Sequence, residues 1–226
     1  MGFGPGLPAA GVSADGRRAS VVTASFDGAV LAGGSSRRMG RDKALIEAPD
    51  GRPLALVGVE ALRTAGATEV IVVGGDERGL RALGVSWVAD LHPGEGPLGG
   101  VLTAFANTTA ELVVVMACDM PGVDSEVPAA LVAALAAAPD SGVAVAVVGE
   151  REQPLTACWR RSTARDALRA AFVAGERAPR KVLSGLGVVR VDGLPVSQLA
   201  DVDSPEDLRR YAEPPPHLPT DEQDAP

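Results

Sequence analysis

Aromatic residues are nearly missing: four Phe, two Trp and one Tyr make up 3% of 226 residues. A core must then be built from Ala, Val and Leu, and few rings remain on which single-stranded nucleic acid could stack. Histidine is equally scarce, with two residues, and so is cysteine, with Cys118 and Cys158 alone. That excludes a Cys/His zinc cluster and a disulfide scaffold, and it fits a cytosolic compartment with free thiols. Positive charge is in deficit, at 21 Lys and Arg against 29 Asp and Glu, for a net charge of −8. A protein that grips duplexes by neutralising phosphates needs the opposite balance. The longest apolar stretches, near 127–138 and 143–148, fall short of the roughly 20 residues of a spanning helix. The opening MGFGPGLPAAG lacks the basic start and apolar run of a secretory signal, and Gly6 stands where a myristoylation pattern needs Ser or Thr. The expectation is a cytoplasmic protein with no membrane and no nucleic acid among its partners.

Hydrophobic residues reach 46% and charged residues 22%, enough to build one sizeable core without a staple. Residues 1–25 mix Gly, Pro, Ala and Ser without a hydrophobic period, and 213–226 (EPPPHLPTDEQDAP) are rich in Pro and acid. Both are expected to be disordered tails flanking one folded domain over 26–212. Strand-like runs fall at 26–31, 69–73, 85–89, 112–118 and 143–148, with weaker ones near 155–159 and 188–191. Helical patterns at 53–65, 97–106, 125–137, 163–174 and 204–211 separate them. The runs Val70-Ile-Val-Val73 and Leu112-Val-Val-Val-Met116 are apolar on successive residues, as strands covered on both faces should be. Such alternation predicts an α/β fold of three layers, α/β/α, around a mostly parallel central sheet. Ligands in such folds sit beyond the carboxyl ends of the strands, and the search for chemistry starts there.

The first strand runs straight into Gly33-Gly34, two serines, and then Arg37, Arg38, Arg41 and Lys43, with Asp42 the one acid among them. Glycines allow close backbone approach and leave N–H groups to point at oxygens, while several cations nearby neutralise a polyphosphate. A basic surface loop with a glycine turn would have the same composition; the position directly after the first buried strand favours a nucleotide triphosphate loop. It is not a Walker loop, for no G-x-x-x-x-G-K-[ST] is present. Gly94-Glu-Gly-Pro-Leu-Gly99 spells G-x-G-x-x-G, with Asp119 20 positions after its last glycine. A dinucleotide fingerprint belongs on the first strand's turn, however, and this one follows the third. Asp119 closes a buried run, so its carboxylate should emerge at the sheet edge as a hard donor suited to Mg²⁺. Cys118 beside it lacks a histidine or cation to activate it, and an inert buried thiol is expected. Arg177, Arg180 and Lys181 lie in a Gly/Pro-punctuated segment that reads mainly as a solvated loop, with contact to a substrate's phosphate as the alternative.

Leu31-Ala-Gly-Gly-Ser-Ser-Arg-Arg-Met-Gly-Arg-Asp-Lys43 resembles the L-A-G-G-x-S-x-R-M-G-x-D-K signature of molybdenum cofactor guanylyltransferases, members of a Rossmann-like nucleotidyltransferase superfamily. The likeness continues through Asp90…Pro93-Gly-Glu-Gly-Pro-Leu-Gly-Gly100, Ala117-Cys-Asp-Met-Pro121 and Asp201-Val-Asp-Ser-Pro-Glu-Asp-Leu208. It implies an enzyme that transfers GMP from GTP to the phosphate of a molybdenum-bearing pterin and releases pyrophosphate. Arg38, Lys43 and Asp119 would be catalytic. Leu31, Ala32, Gly33, Gly34, Ser35, Lys43, Asp90, Gly96, Pro97, Leu98, Gly99 and Asp119 would bind the nucleotide, the small residues making room for base and ribose. Asp119 with Asp201 or Asp203 would hold Mg²⁺, although Asp203 or Ser204 serves equally well as a helix cap.

Two departures stand out. Asp occupies both positions, 201 and 203, where the family pattern usually has Asn, and Gly74 stands where members often place a nucleotide-contacting Asn. GTP and a molybdopterin-type cofactor are the implied substrates. Transient contacts with proteins that deliver or receive the cofactor, and at most weak self-association, complete the expected partners. A cytidylyltransferase or a sugar-1-phosphate nucleotidyltransferase of the same fold are the alternatives, and a non-catalytic nucleotide-binding regulator is a third. The second glycine of Leu31-Ala-Gly-Gly34, where CTP users tend to carry L-A-A-G, leans to guanine.

Overall fold

The first strand, β1 (Phe26–Leu31), is buried along its whole length, and alternate residues serve opposite layers. Phe26 and Val30 belong to one hydrophobic cluster, Ala29 and Leu31 to another. β2 (Val70–Val73) and β4 (Leu112–Ala117) divide the same way, with Val70, Val72, Leu112, Val114 and Met116 on one face and Ile71, Val73, Val113 and Val115 on the other. Continuous apolar runs are what a sheet covered on both faces requires. The structure, a computed structural model, describes residues 24–33 and 42–212. Apart from Ala24 and Ser25, the expected tails lie outside the described residues, as do Gly34, Ser35 and Arg38.

One seven-stranded sheet has the order β3-β2-β1-β4-β6-β5-β7, completed by β3 (Ser86–Val88), β5 (Val143–Val148), β6 (Arg151–Arg160) and β7 (Val188–Val191). β6 alone runs antiparallel to its neighbours, so the sheet is mostly parallel, as the alternation predicts. Helices α1 (Leu54–Thr64) and α4 (Glu126–Ala136) pack with the Phe26 cluster. On the opposite face, with Ala29, pack α3 (Pro97–Asn107) and α5 (Arg161–Val173). The helix expected near 204–211 is α8 (Pro205–Ala212). The hydrophobic period does not show α2 (Glu77–Ala82), α6 (Arg180–Leu183) or α7 (Val196–Leu199), because four to six residues complete too few turns to display one.

β6 departs most from the sequence reading. It begins at Arg151, four residues before the apolar run, and its register against β5 jumps from Val145↔Ala157 to Ala146↔Gln153. Pro154 sits in the bulge that results, where its missing N–H costs no ladder bond.

Candidate active site

The strand order puts the ends of β1, β2 and β4 side by side, and the candidate residues follow those ends. Ala32 N–H donates to the Val73 carbonyl (2.9 Å) and Leu31 carbonyl accepts from Cys118 N–H (3.2 Å). These groups are engaged within the sheet edge, and both side chains are buried. Gly33 is the first exposed residue after the strand. Asp90 lies against it, with one carboxylate oxygen 3.8 Å from where a Cβ on Gly33 would stand. The other oxygen accepts from His92 N–H (2.9 Å) and lies 3.0 Å from the Thr103 hydroxyl. Thr103, fully buried in α3, also accepts from Leu91 N–H and approaches the Gly99 carbonyl. Sequence reasoning missed Thr103; its only signal is a hydroxyl on an otherwise apolar helix face, four residues after Gly99.

Gly74 closes the other side of Gly33. Its φ is +71°, and a Cβ there would stand 3.3 Å from Gly33 Cα and 3.5 Å from Asp90 Cβ. The position needs a left-handed backbone, which Gly adopts freely and Asn tolerates. Trp87 Nε1 donates to the Gly74 carbonyl (2.8 Å) and fixes the turn.

Lys43 is the hub of the site. It opens a short 3-10 turn, Lys43–Leu45, capped by Asp42, whose side chain accepts from Ala44 N–H. Its Nζ donates to Asp119 Oδ2 at 2.9 Å and to Asp203 Oδ1 at 2.8 Å. Burial opposes the ammonium charge, but the hydrogen bonds to Asp203 and Asp119 outweigh it, and the pKa stands above the usual lysine range. Asp119 lies two residues beyond β4, at the carboxyl edge as expected, and its carbonyl accepts from Val202 N–H (2.9 Å). That backbone bond docks the 201–203 segment beside the strand. Ser204 and Asp207 form a reciprocal cap for α8: Ser204 Oγ donates to Asp207 Oδ2 (2.7 Å) and accepts from Asp207 N–H (3.1 Å). Capping therefore falls to Ser204, and the Asp203 carboxylate reaches Lys43. Asp201 points elsewhere and lines a cavity with Asp119.

The Gly/Pro loop has a packing role the sequence did not show. Gly96 caps α3 with φ +87°, and a Cβ there would stand 3.0 Å from Arg177 Cβ. Leu98 N–H donates to the Arg177 carbonyl (3.0 Å) and its side chain is wholly buried. A Cβ on Gly99 would come within 2.7 Å of His92 Cβ. Gly96 and Pro97 remain exposed, so of the four expected nucleotide contacts 96–99 they are the ones a ligand can reach. Since a protein carbonyl already takes the Leu98 N–H, the loop lacks the open helix terminus of a dinucleotide site. The Arg177 guanidinium stacks 4.2 Å from the Phe172 ring centroid and pairs with Glu95 (2.9 Å), tying the segment after α5 to this loop.

The Cys118 thiol is buried, and burial, reinforced by neighbouring Asp119, pushes its pKa up to about 12. It is the inert thiol expected. Among the described residues no three acid, His or Cys side chains cluster as a metal site. The hard donors beside Lys43 are two carboxylates, a set that suits Mg²⁺ when phosphate oxygens and water complete its shell. No helix among the described residues is long and apolar enough to cross a membrane.

Comparison with known proteins bears on the family and the fold. Residues 28–191 match the family described as MobA-like NTP transferase domain. A molybdenum cofactor guanylyltransferase of Shewanella halifaxensis is 35% identical over 158 residues, covering 69% of this chain and 78% of that protein. The crystal structure of molybdopterin-guanine dinucleotide biosynthesis protein A from Archaeoglobus fulgidus aligns with a TM-score of 0.66 at 26% identity, over 82% of this chain and 96% of that one. A 2-C-methyl-D-erythritol 4-phosphate cytidylyltransferase from Thermus thermophilus, 21% identical with a TM-score of 0.61 over 81% and 96% of the two chains, shares the fold. On the sequence match and on the fold together, the chain belongs to the MobA-like NTP transferase family.

Proposed function

We propose that this protein transfers GMP from GTP to the phosphate of a molybdenum-bearing pterin, releasing pyrophosphate and giving a guanine dinucleotide form of the cofactor. The observation that carries the reading is the Lys43 ammonium held between Asp119 and Asp203 beyond the end of β4, the strand next to β1, which Gly33 follows with Asp90 against it. A cation flanked by two hard carboxylates, next to a glycine turn, is equipment for a triphosphate. An oxygen of the acceptor phosphate attacks the α-phosphorus in line, the bond to the β-phosphate oxygen breaks, and pyrophosphate leaves with the electron pair. Both reactants are anions, so the protein's work is positioning and charge neutralisation. The nucleophile is already ionised at neutral pH, and no side-chain base is needed.

Lys43, with Arg38 from the same motif, holds the β- and γ-phosphates and stabilises charge on the leaving pyrophosphate. Gly33 and Asp90 receive the nucleoside, with Gly96 and Pro97 exposed on the neighbouring loop. Asp119 and Asp203 would hold Mg²⁺, which when bound supplies Lewis-acid neutralisation of the phosphate oxygens. Calorimetric titration of GTP, CTP, ATP and UTP in the presence of Mg²⁺ tests the reading. Selective GTP binding that weakens in Lys43→Ala is the expected result; CTP selectivity would transfer the assignment to a cytidylyltransferase on the same fold.

A further inference from the structure

Thr103 is the one polar side chain among the buried residues of α3, and it is fully buried. A buried hydroxyl needs partners, and a helical threonine ordinarily finds one in the carbonyl a turn behind it. Thr108, just past the same helix, does this with the Ala104 carbonyl (2.8 Å). Thr103 has the matching contact with the Gly99 carbonyl (3.0 Å), yet it also meets two groups from outside α3. Its Oγ1 accepts from Leu91 N–H (3.1 Å) and lies 3.0 Å from Asp90 Oδ1.

A hydroxyl has one proton to give. The Gly99 carbonyl already serves the helix ladder, whereas a bond to a carboxylate is charge-assisted and stronger. The proton therefore goes to Asp90 Oδ1, which takes a second hydrogen from His92 N–H (2.9 Å). Two donors on one oxygen fix the rotation of the carboxylate. Its other oxygen, Oδ2, is the one turned towards Gly33, 3.8 Å from where a Cβ there would stand. Among the described residues no N–H or O–H donates to Oδ2. A half-buried acceptor without a donor, at the turn where β1 ends, is set to take a hydrogen that a ligand brings.

We propose that Thr103 is a positioning residue for nucleotide binding: its hydroxyl holds Asp90 so that Oδ2 receives an N–H or O–H of the nucleoside. The inference rests on the reading of Asp90 as a nucleoside contact, and it adds a residue outside the motifs that carry the family resemblance. Base N–H groups and ribose hydroxyls are the two sources of such a donor.

The test is calorimetry of Thr103→Val, Thr103→Ser, Asp90→Ala and the Thr103→Val, Asp90→Ala double variant, with folding checked by thermal denaturation. Two ligands are titrated with Mg²⁺: GTP, and inorganic tripolyphosphate, which lacks the nucleoside. Thr103→Val should weaken GTP binding about tenfold and leave tripolyphosphate binding unchanged, and Thr103→Ser should restore GTP binding. In the Asp90→Ala background Thr103→Val should add less than about twofold, since its effect runs through that carboxylate. Equal losses for both ligands, an undiminished loss in the Asp90→Ala background, or no loss of GTP affinity would overturn the proposal. Should Thr103→Val not fold, Thr103→Ala is read the same way. The analogue 2′,3′-dideoxy-GTP then names the donor. A response to Thr103→Val that disappears points to the ribose, one that persists points to the base, and either sustains the role of Thr103. Asp90→Ala protein that binds GTP as the wild type does would refute the nucleoside reading of Asp90 and the proposal with it. Wild-type protein that prefers CTP would refute the guanylyl assignment alone, and the same titrations with CTP decide the role of Thr103.

Discussion

Lys43 is 14% exposed and Asp203 70% exposed, and that contrast decides how the site responds to mutation. Lys43→Ala leaves two carboxylates near each other, yet Asp203 is largely hydrated, so the stability cost should stay within about 1 kcal/mol. Turnover, which needs the cation at the departing phosphates, should fall about 10²–10³-fold, and Asp119→Ala should do the same. Steady-state pyrophosphate release beside a melting curve separates the two effects, and near-normal turnover would remove either residue from the mechanism. The raised Lys43 pKa fixes a sign as well. Its contribution to stability is complete below its ordinary value of 10.5 and is lost only as pH rises through the higher folded value. The rate profile between pH 6 and 9 should therefore carry no Lys43 limb. Gly74 makes a sharper backbone test. At φ +71°, Gly74→Ala should cost about 1–2 kcal/mol, and Gly74→Asn less, read as the difference in unfolding midpoints. Equal losses would mean that the crowding against Gly33, and not φ, sets the requirement.

At the level of elements, α8 matters because the segment leading into it carries Asp203. Tyr211, on the last turn of α8, donates to the Ser197 carbonyl (3.1 Å). A Cβ on Gly122 would come within 1.6 Å of the Tyr211 hydroxyl and 2.5 Å of the Ser197 carbonyl. Gly122 thus leaves the space in which α7 and α8 meet the loop after Asp119. Gly122→Ala should speed amide exchange across α8 and lower kcat several-fold, with GTP binding less affected. Unchanged exchange would show that Tyr211 does not seat the helix. The turn after α5 has its own pH dependence. Glu176 accepts from Ala178 and Arg177 N–H and pairs with Lys181, which holds its pKa down to about 2, well below the ordinary 4.5. Its stabilising contact is present above pH 4.5 and fades as pH falls towards 2. The main helices were legible in the sequence because 11 to 13 residues display a period. The start of β6 was not, because Arg151-Glu-Gln-Pro154 is polar where it lines a cavity.

The whole molecule is a sheet between two layers, and the layers can be probed independently. Leu131 and Leu168 are both fully buried, in clusters on opposite faces. Leu131→Ala and Leu168→Ala should each cost about 2–5 kcal/mol, and the double variant should lie within about 0.5 kcal/mol of their sum, because the sites share no packing partner. Denaturant unfolding with a single transition checks this. A larger deficit would mean that the sheet transmits strain between layers. Trimming the chain to 24–212 should leave the unfolding midpoint and GTP affinity unchanged, since the sequence outside that span is rich in Gly, Pro and acid and carries no hydrophobic period.

Periodicity and local chemistry determined the layered α/β fold, the order of the main elements and the edge where chemistry belongs. Apolar runs covered on both faces have few other solutions, and Gly33 and Asp119 follow directly from strand ends. Tertiary structure alone decided which carboxylate meets Lys43. Asp201 and Asp203 are two residues apart and chemically alike; the Val202 bond to Asp119 and the Ser204–Asp207 cap turn one towards the ammonium and the other into the cavity. It likewise decided that Gly96 and Gly99 serve packing against Arg177 and His92. Gly96 and Arg177 are 81 positions apart and Lys43 and Asp203 are 160 apart, and no local pattern encodes which pair will meet.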